Sequence, residues 1–131
     1  MQLTLKDDLP FTSVQVAYRG SKMEISDVLV DTGSATTILA AREVARIGIV
    51  PESSDMLYVI RGVGGVETVF TRQVEYLSVG QRRVPGFEIE VGGMDYGFEI
   101  NGILGMDFLL RTGAILNLRE LSLEFSNEIS Y

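Results

Sequence analysis

Val28-Leu29-Val30-Asp31-Thr32-Gly33-Ser34 is the stretch that orders the rest of this sequence. Three consecutive bulky apolar residues suit a buried strand, and the polar residues after them end it. The chain therefore delivers a carboxylate, Asp31, from an apolar strand into a loop whose glycine, Gly33, leaves its flank unobstructed.

Outward from that loop, the pattern is mostly strands. Residues 12–19 set Val14, Val16 and Tyr18 on one face, and Gly20-Ser21-Lys22 reads as the turn into residues 23–30, which makes a hairpin. On the other side, Ile38, Leu39, Ala41, Val44, Ala45 and Ile47 recur at near-helical spacing. That spacing predicts a short packing helix over 37–47, with Gly48 as its stop. Residues 56–60 and 66–75 read as two strands around Arg61-Gly62-Val63-Gly64-Gly65, a glycine-tipped hairpin able to move or to approach a ligand backbone closely. A phosphate-binding loop is a poor match there, because no Lys-Ser/Thr and no helical pattern follow.

Residues 76–79 and 84–91 predict a further hairpin, with Arg82-Arg83 as a solvated turn, and 92–97 a loop. Ile103-Leu104 reads as a buried strand, Gly105 as a backbone breaker, and 107–110 as the start of a short helix capped by Asp107. Residues 114–118 and 121–125 supply closing strands. Fourteen glycines punctuating short apolar stretches are the pattern of a small all-β barrel or sandwich. No repeat or linker divides the 131 residues.

Composition narrows the chemistry. Histidine and cysteine are both absent, which excludes thiol nucleophiles, disulfides, Ser-His-Asp triads and the usual zinc ligand sets within one chain. Acid–base work near neutral or mildly acid pH then falls to carboxylates. A net charge of -7 without a dense Lys/Arg run argues against nucleic acid as a partner. No apolar run approaches the ~20 residues of a membrane helix, and residues 1–8 lack a signal-peptide core. A soluble, cytoplasmic location is the expectation. Glu88, Glu90 and Glu99 alternate with apolar residues as solvated strand faces, and Tyr58, Tyr76 and Tyr96 read as core or rim aromatics.

The strand into Asp31-Thr32-Gly33-Ser34, the segment ending Ile47-Gly48-Ile49, the glycine-tipped hairpin and Ile103-Leu104-Gly105-Met106-Asp107-Phe108-Leu109 follow one another in a known order. Over nearly its whole length the sequence resembles the retropepsin-like aspartic peptidases, single-domain relatives of the retroviral proteases. The resemblance implies one domain over 1–131, with an all-β, small closed barrel-like fold, one or two short helices, and a two-fold homodimer. It implies Asp31 as the catalytic residue, with Thr32 bracing the two loops across the dimer axis. Gly33 would expose backbone to substrate, and Ser34 would hydrogen-bond the outer carboxylate oxygen. Gly62, Val63, Gly64 and Gly65 would form a substrate-binding flap, and Ile103, Leu104 and Gly105 a structural motif. The substrate would be a peptide or protein, and no metal or cofactor is required.

Physical chemistry agrees that one Asp-Thr-Gly is half a site. Peptide hydrolysis of this kind uses a base and an acid together. Two carboxylates ~3 Å apart cannot both ionise and so share a proton, as aspartic proteases illustrate. With a single such motif, a symmetric dimer placing Asp31 beside Asp31 is the economical solution. Two departures from the retroviral pattern stand out. Ser34 occupies a position more often Ala, and Met106 stands where Arg is common, which removes a buried Arg network supporting the dimer. Apolar substrate side chains and mildly acid activity are expected. A catalytically silent peptide-binding or dimerisation module with the same fold is the alternative, as is a domain that dimerises only within a longer protein.

Overall fold

The structure is a computed structural model and describes residues 1–62, 65–94 and 99–126, with the backbone alone for 60–62 and 65–67. In chain order its strands are β1 (Thr4–Lys6), β2 (Leu9–Tyr18), β3 (Ser21–Val30) and β4 (Ile38–Ala40), then helix α1 (Ala41–Val44) and a 3-10 turn, Ala45–Ile47. These are followed by β5 (Leu57–Gly62), β6 (Gly65–Gln73), β7 (Tyr76–Val79), β8 (Arg82–Pro85), β9 (Glu88–Gly92) and β10 (Gly102–Leu104). Helix α2 (Met106–Arg111) and a closing ribbon of β11 (Ala114–Asn117) and β12 (Ser122–Phe125) complete it.

The β2–β3 hairpin turns at Arg19-Gly20, one residue before the expected position. Both turn residues have positive φ, 47° and 84°, which matches the twist of a two-residue loop. The end of β3 then lies in the middle of the large sheet. Val28, Leu29 and Val30 pair in parallel with Gly102, Ile103 and Leu104 of β10, while β2 covers the other edge. Val28 and Val30 enter the main core, which includes Val14, Val16, Leu39, Leu77, Ile89, Leu104 and Phe108. Alternation turns Leu29 and Ile103 to the opposite face. There they pack on a smaller cluster of Phe11, Ile38, Ala40, Met94 and Ile100.

Three expectations are corrected. The predicted helix over 37–47 is helical only from Ala41. Ile38, Leu39 and Ala40 are all buried as β4, between β9 in parallel and β10 in antiparallel pairing. Sheet pairing on both edges has overridden an apolar spacing that suits a helix equally well. The predicted strand over 84–91 is broken at Gly86, whose φ of 61° turns the chain and whose N–H donates to Glu75 O. β8 thus stays beside β7, carrying Arg82 and Arg83 in a strand rather than a turn, while β9 crosses to lie between β6 and β4.

The third correction concerns closure. The strand order is β5-β6-β9-β4-β10-β3-β2-β7-β8, with β1 attached to β2, so the path has two ends and the sheet does not close into a barrel. The β8 end carries Arg82, Arg83 and Pro85, residue types that resist strand addition. The ribbon is separate from this sheet. Its β12 strand is flanked by β11 and by the first residues of the same chain: Met1 N and Leu123 O are 2.8 Å apart, Leu123 N donates to Met1 O, and Leu3 N to Leu121 O.

Candidate active site

Asp31 sits one residue beyond β3, its N–H still bonded to Leu104 O at 3.0 Å as the ladder with β10 ends. Its carbonyl accepts the Ser34 N–H at 3.2 Å, which closes a tight loop through exposed Thr32 and Gly33. One carboxylate oxygen, Oδ1, accepts the Gly33 N–H at 2.8 Å. The other has no hydrogen-bond donor among the described residues, and none of the described ion pairs includes Asp31. The half-buried carboxylate is thus held by one oxygen and offers the other outward. A side chain at Gly33 would crowd it, since a Cβ there would lie 3.1 Å from Oδ1.

Behind the loop is a lock the sequence did not reveal. The Gly105 N–H donates to Thr37 Oγ1 at 3.0 Å, and that hydroxyl donates to Asp107 Oδ1 at 2.7 Å. The Thr37 N–H reaches Asp107 Oδ2 at 3.1 Å, so fully buried Thr37 has both polar groups satisfied. Met106 N donates to Ser34 O and Asp107 N to Ala35 O, which joins the first turn of α2 to the Asp31 loop. Contact here is so close that a Cβ on Gly105 would stand 2.2 Å from Thr36 O. Gly105 is therefore required by a backbone crossing rather than by its φ.

Two residue roles change accordingly. Asp107 is not the helix cap, because Gly105 occupies that position without a side-chain cap. Its carboxylate accepts the Phe108 N–H within the first turn, but its remaining bonds go to Thr37, across the sheet. Ser34 does not bond the outer oxygen of Asp31; its hydroxyl donates to Thr36 O at 2.7 Å. Thr32 is exposed and makes no bond within the chain among the described residues. Of the three acidic residues read as solvated, Glu88 and Glu99 are exposed, and half-buried Glu90 accepts the Thr36 hydroxyl.

One step back from Asp31, on the face to which alternation assigns its side chain, the registers align an apolar row across four strands. Phe11 lies opposite Leu29, Leu29 opposite Ile103, and Ile103 opposite Ile38. Arg42 braces the chain beyond this row by donating to Gly93 O, Ile100 O and Asn101 Oδ1 at 3.2, 3.1 and 2.7 Å. A sequence signal for the row existed, namely odd-numbered apolar residues just before Asp31 and before Gly105. It became legible only once the parallel register was known.

A sequence model described as Aspartyl protease matches residues 14–108. The chain belongs to the aspartyl protease family. A crystal structure of a retropepsin-like aspartic protease from Rickettsia conorii is similar, with a TM-score of 0.66 over 92% of this chain and 92% of that one, at 17% identity. At that identity the likeness is one of fold. No curated protein matches the chain.

Within this retropepsin-like fold the glycine-tipped hairpin is β5–β6, paired from Leu57↔Phe70 to Gly62↔Gly65. Val63 and Gly64 lie outside the described residues, as does Tyr96. The hairpin's base is clasped by Arg72, which donates to Asp55 Oδ2 at 2.6 Å, Val50 O at 2.9 Å and Tyr18 Oη at 2.9 Å. The Glu52 N–H, and then the Arg72 guanidinium, hold the Asp55 carboxyl below the ordinary carboxylate range against the opposing effect of partial burial. No described helix is long and apolar enough to cross a membrane.

Proposed function

We propose that the chain is an aspartic endopeptidase that cuts extended polypeptide segments, with a water activated between two Asp31 carboxylates, one from each copy of a homodimer. The observation that carries this reading is the Asp31 carboxylate itself. It is fixed through Oδ1 by the Gly33 N–H, carries no ion pair among the described residues, and stands half-buried at the mouth of a loop locked to the sheet. A scaffold without chemistry has no use for an unpaired carboxylate held so rigidly at an open surface.

In the reaction, the ionised Asp31 takes a proton from water as the oxygen attacks the scissile carbonyl. The protonated Asp31 of the second copy donates to the developing oxyanion, and the proton shuttled through the pair then assists departure of the amine. Thr32 of each copy meets the other loop across the axis. The row of Phe11, Leu29, Ile103 and Ile38 supplies an apolar floor, and the β5–β6 hairpin, with Gly62, Val63, Gly64 and Gly65 at its end, covers the bound strand as a flap. All of residues 1–131 act as one peptidase domain.

Cleavage of a mixed peptide library between about pH 4 and 7 tests this, comparing the native chain with Asp31→Asn. Loss of cleavage in the variant, with its fold and dimer intact, is the expected outcome. Cleavage that survives Asp31→Asn sinks the mechanism, and a native dimer that cuts nothing moves the silent binding module ahead.

A further inference from the structure

The apolar row beside Asp31 does not stop at Ile38. The parallel register sets Ile38 opposite Glu90 of β9, and the next pairing sets Glu90 opposite Thr71 of β6. Residues that face one another across strands share a side of the sheet. Phe11, Leu29, Ile103 and Ile38 are therefore followed, on the same face, by a carboxylate. Alternation along β9 agrees: Ile89 and Val91 enter the main core, which leaves Glu90 to the side where Ile38 packs.

Glu90 is half-buried, whereas Glu88 on the same face is exposed. Its Oε1 accepts the Thr36 hydroxyl, its other oxygen has no donor among the described residues, and none of the described ion pairs includes it. Arginines on the adjoining elements are committed elsewhere. Arg42 donates to Gly93, Ile100 and Asn101, and Arg72 to Asp55, Val50 and Tyr18. A carboxylate drawn partly out of water and lacking a counter-charge is stabilised by a cation that completes its bonds.

Its place relative to Asp31 follows from the registers. Asp31 lies two residues beyond Leu29, and exposed Thr36 lies two residues before Ile38 on an oppositely running strand, so both stand level with Gly105. They are two strand spacings apart, roughly 10 Å, a distance that about three residues of an extended chain cover.

We infer that Glu90 selects substrates carrying a lysine or arginine two or three residues from the scissile bond. The inference rests on the peptidase reading and names the class of peptide that such a site takes. The aliphatic stem of the basic side chain lies along Ile38, and its charged end reaches the open Glu90 oxygen and the Thr36 hydroxyl oxygen. Two-fold symmetry repeats Glu90 on the other side of the dyad, so a basic residue is read on either side of the bond. The net charge of -7 draws such peptides toward the chain.

A peptide cut from the mixed library, remade with lysine or with glutamate at those positions, tests this. The native chain should cut the lysine form with a kcat/KM about 10-fold or more above the glutamate form. Glu90→Gln, which keeps the size of the side chain, should bring the two within about 2-fold, and Glu90→Lys should reverse their order. Fluorescence anisotropy with Asp31→Asn, which holds peptide without cutting it, should give the same order of dissociation constants. Equal cutting of both forms by the native chain, or a lysine preference that survives Glu90→Gln, overturns the role of Glu90 while Asp31-dependent cleavage stands. A lysine preference in binding that Glu90→Gln abolishes, with no Asp31-dependent cleavage of any peptide, sinks the peptidase reading and leaves the recognition by Glu90 in place.

Discussion

The Asp31 loop and the β5–β6 hairpin are held in opposite ways. Four segments converge on the loop: β3 before it, β10 beside it, Thr37 after it and the first turn of α2 beneath it, joined through the Thr37–Asp107–Gly105 bonds. The hairpin is paired along β6 to β9 and clasped by Arg72, but β5 ends the sheet, and Met56, Leu57 and Val59 are each at least 60% exposed. One region is built so that a carboxylate cannot wander. The other presents apolar side chains that the chain itself leaves uncovered. Such a division suits a site in which rigid chemistry meets an adaptable cover.

The contrast is broken most severely at Gly105. With a Cβ 2.2 Å from Thr36 O, Gly105→Ala forces backbone apart, and a loss of about 4 kcal/mol or more in urea unfolding is expected, or no soluble protein. Thr37→Val comes next. It leaves the Gly105 N–H without its acceptor and takes the hydroxyl donor from Asp107 Oδ1, for about 2–3 kcal/mol by the same measurement. On the hairpin, Val59→Asp should change stability by less than about 0.5 kcal/mol while raising KM for apolar peptides. A stability loss there as large as at Thr37 would erase the distinction between the two regions.

The smallest effect concerns the clasp at the hairpin base. Asp55 has a depressed folded-state pKa, so its stabilising contribution is fully present above the ordinary value of about 3.9 and is lost as pH falls through the folded value. Thermal unfolding of Asp55→Asn should therefore fall below the native chain at pH 6 and converge with it near pH 2. A gap that persists at pH 2 would assign the loss to packing instead.

Much of this was legible in the sequence, for reasons that can be named. The strand into Asp31, the β2–β3 hairpin apart from its turn residues, the Ile103-Leu104 strand and α2 are local patterns, set by apolar runs and turn residues within a few positions. What escaped was non-local. Residues 38–40 show an apolar spacing compatible with helix, and only pairing with β9 and β10 makes them a strand. Thr37 and Asp107 are 70 residues apart, so their mutual bonds left no trace in spacing. The Ser34 hydroxyl was expected on Asp31, and the loop geometry gives it to Thr36 O instead. The sheet is open rather than the expected closed barrel because its end strands, β5 and β8, do not pair with each other.

The central claim is that two Asp31 carboxylates act as one site. It is tested most directly by exchanging native subunits with Asp31→Asn subunits at concentrations that keep every chain dimeric. If the dyad is shared, cleavage falls as the square of the native fraction, to about a quarter in an equal mixture. Cleavage falling only in proportion, to about half, would mean that each chain works alone and would contradict the shared dyad.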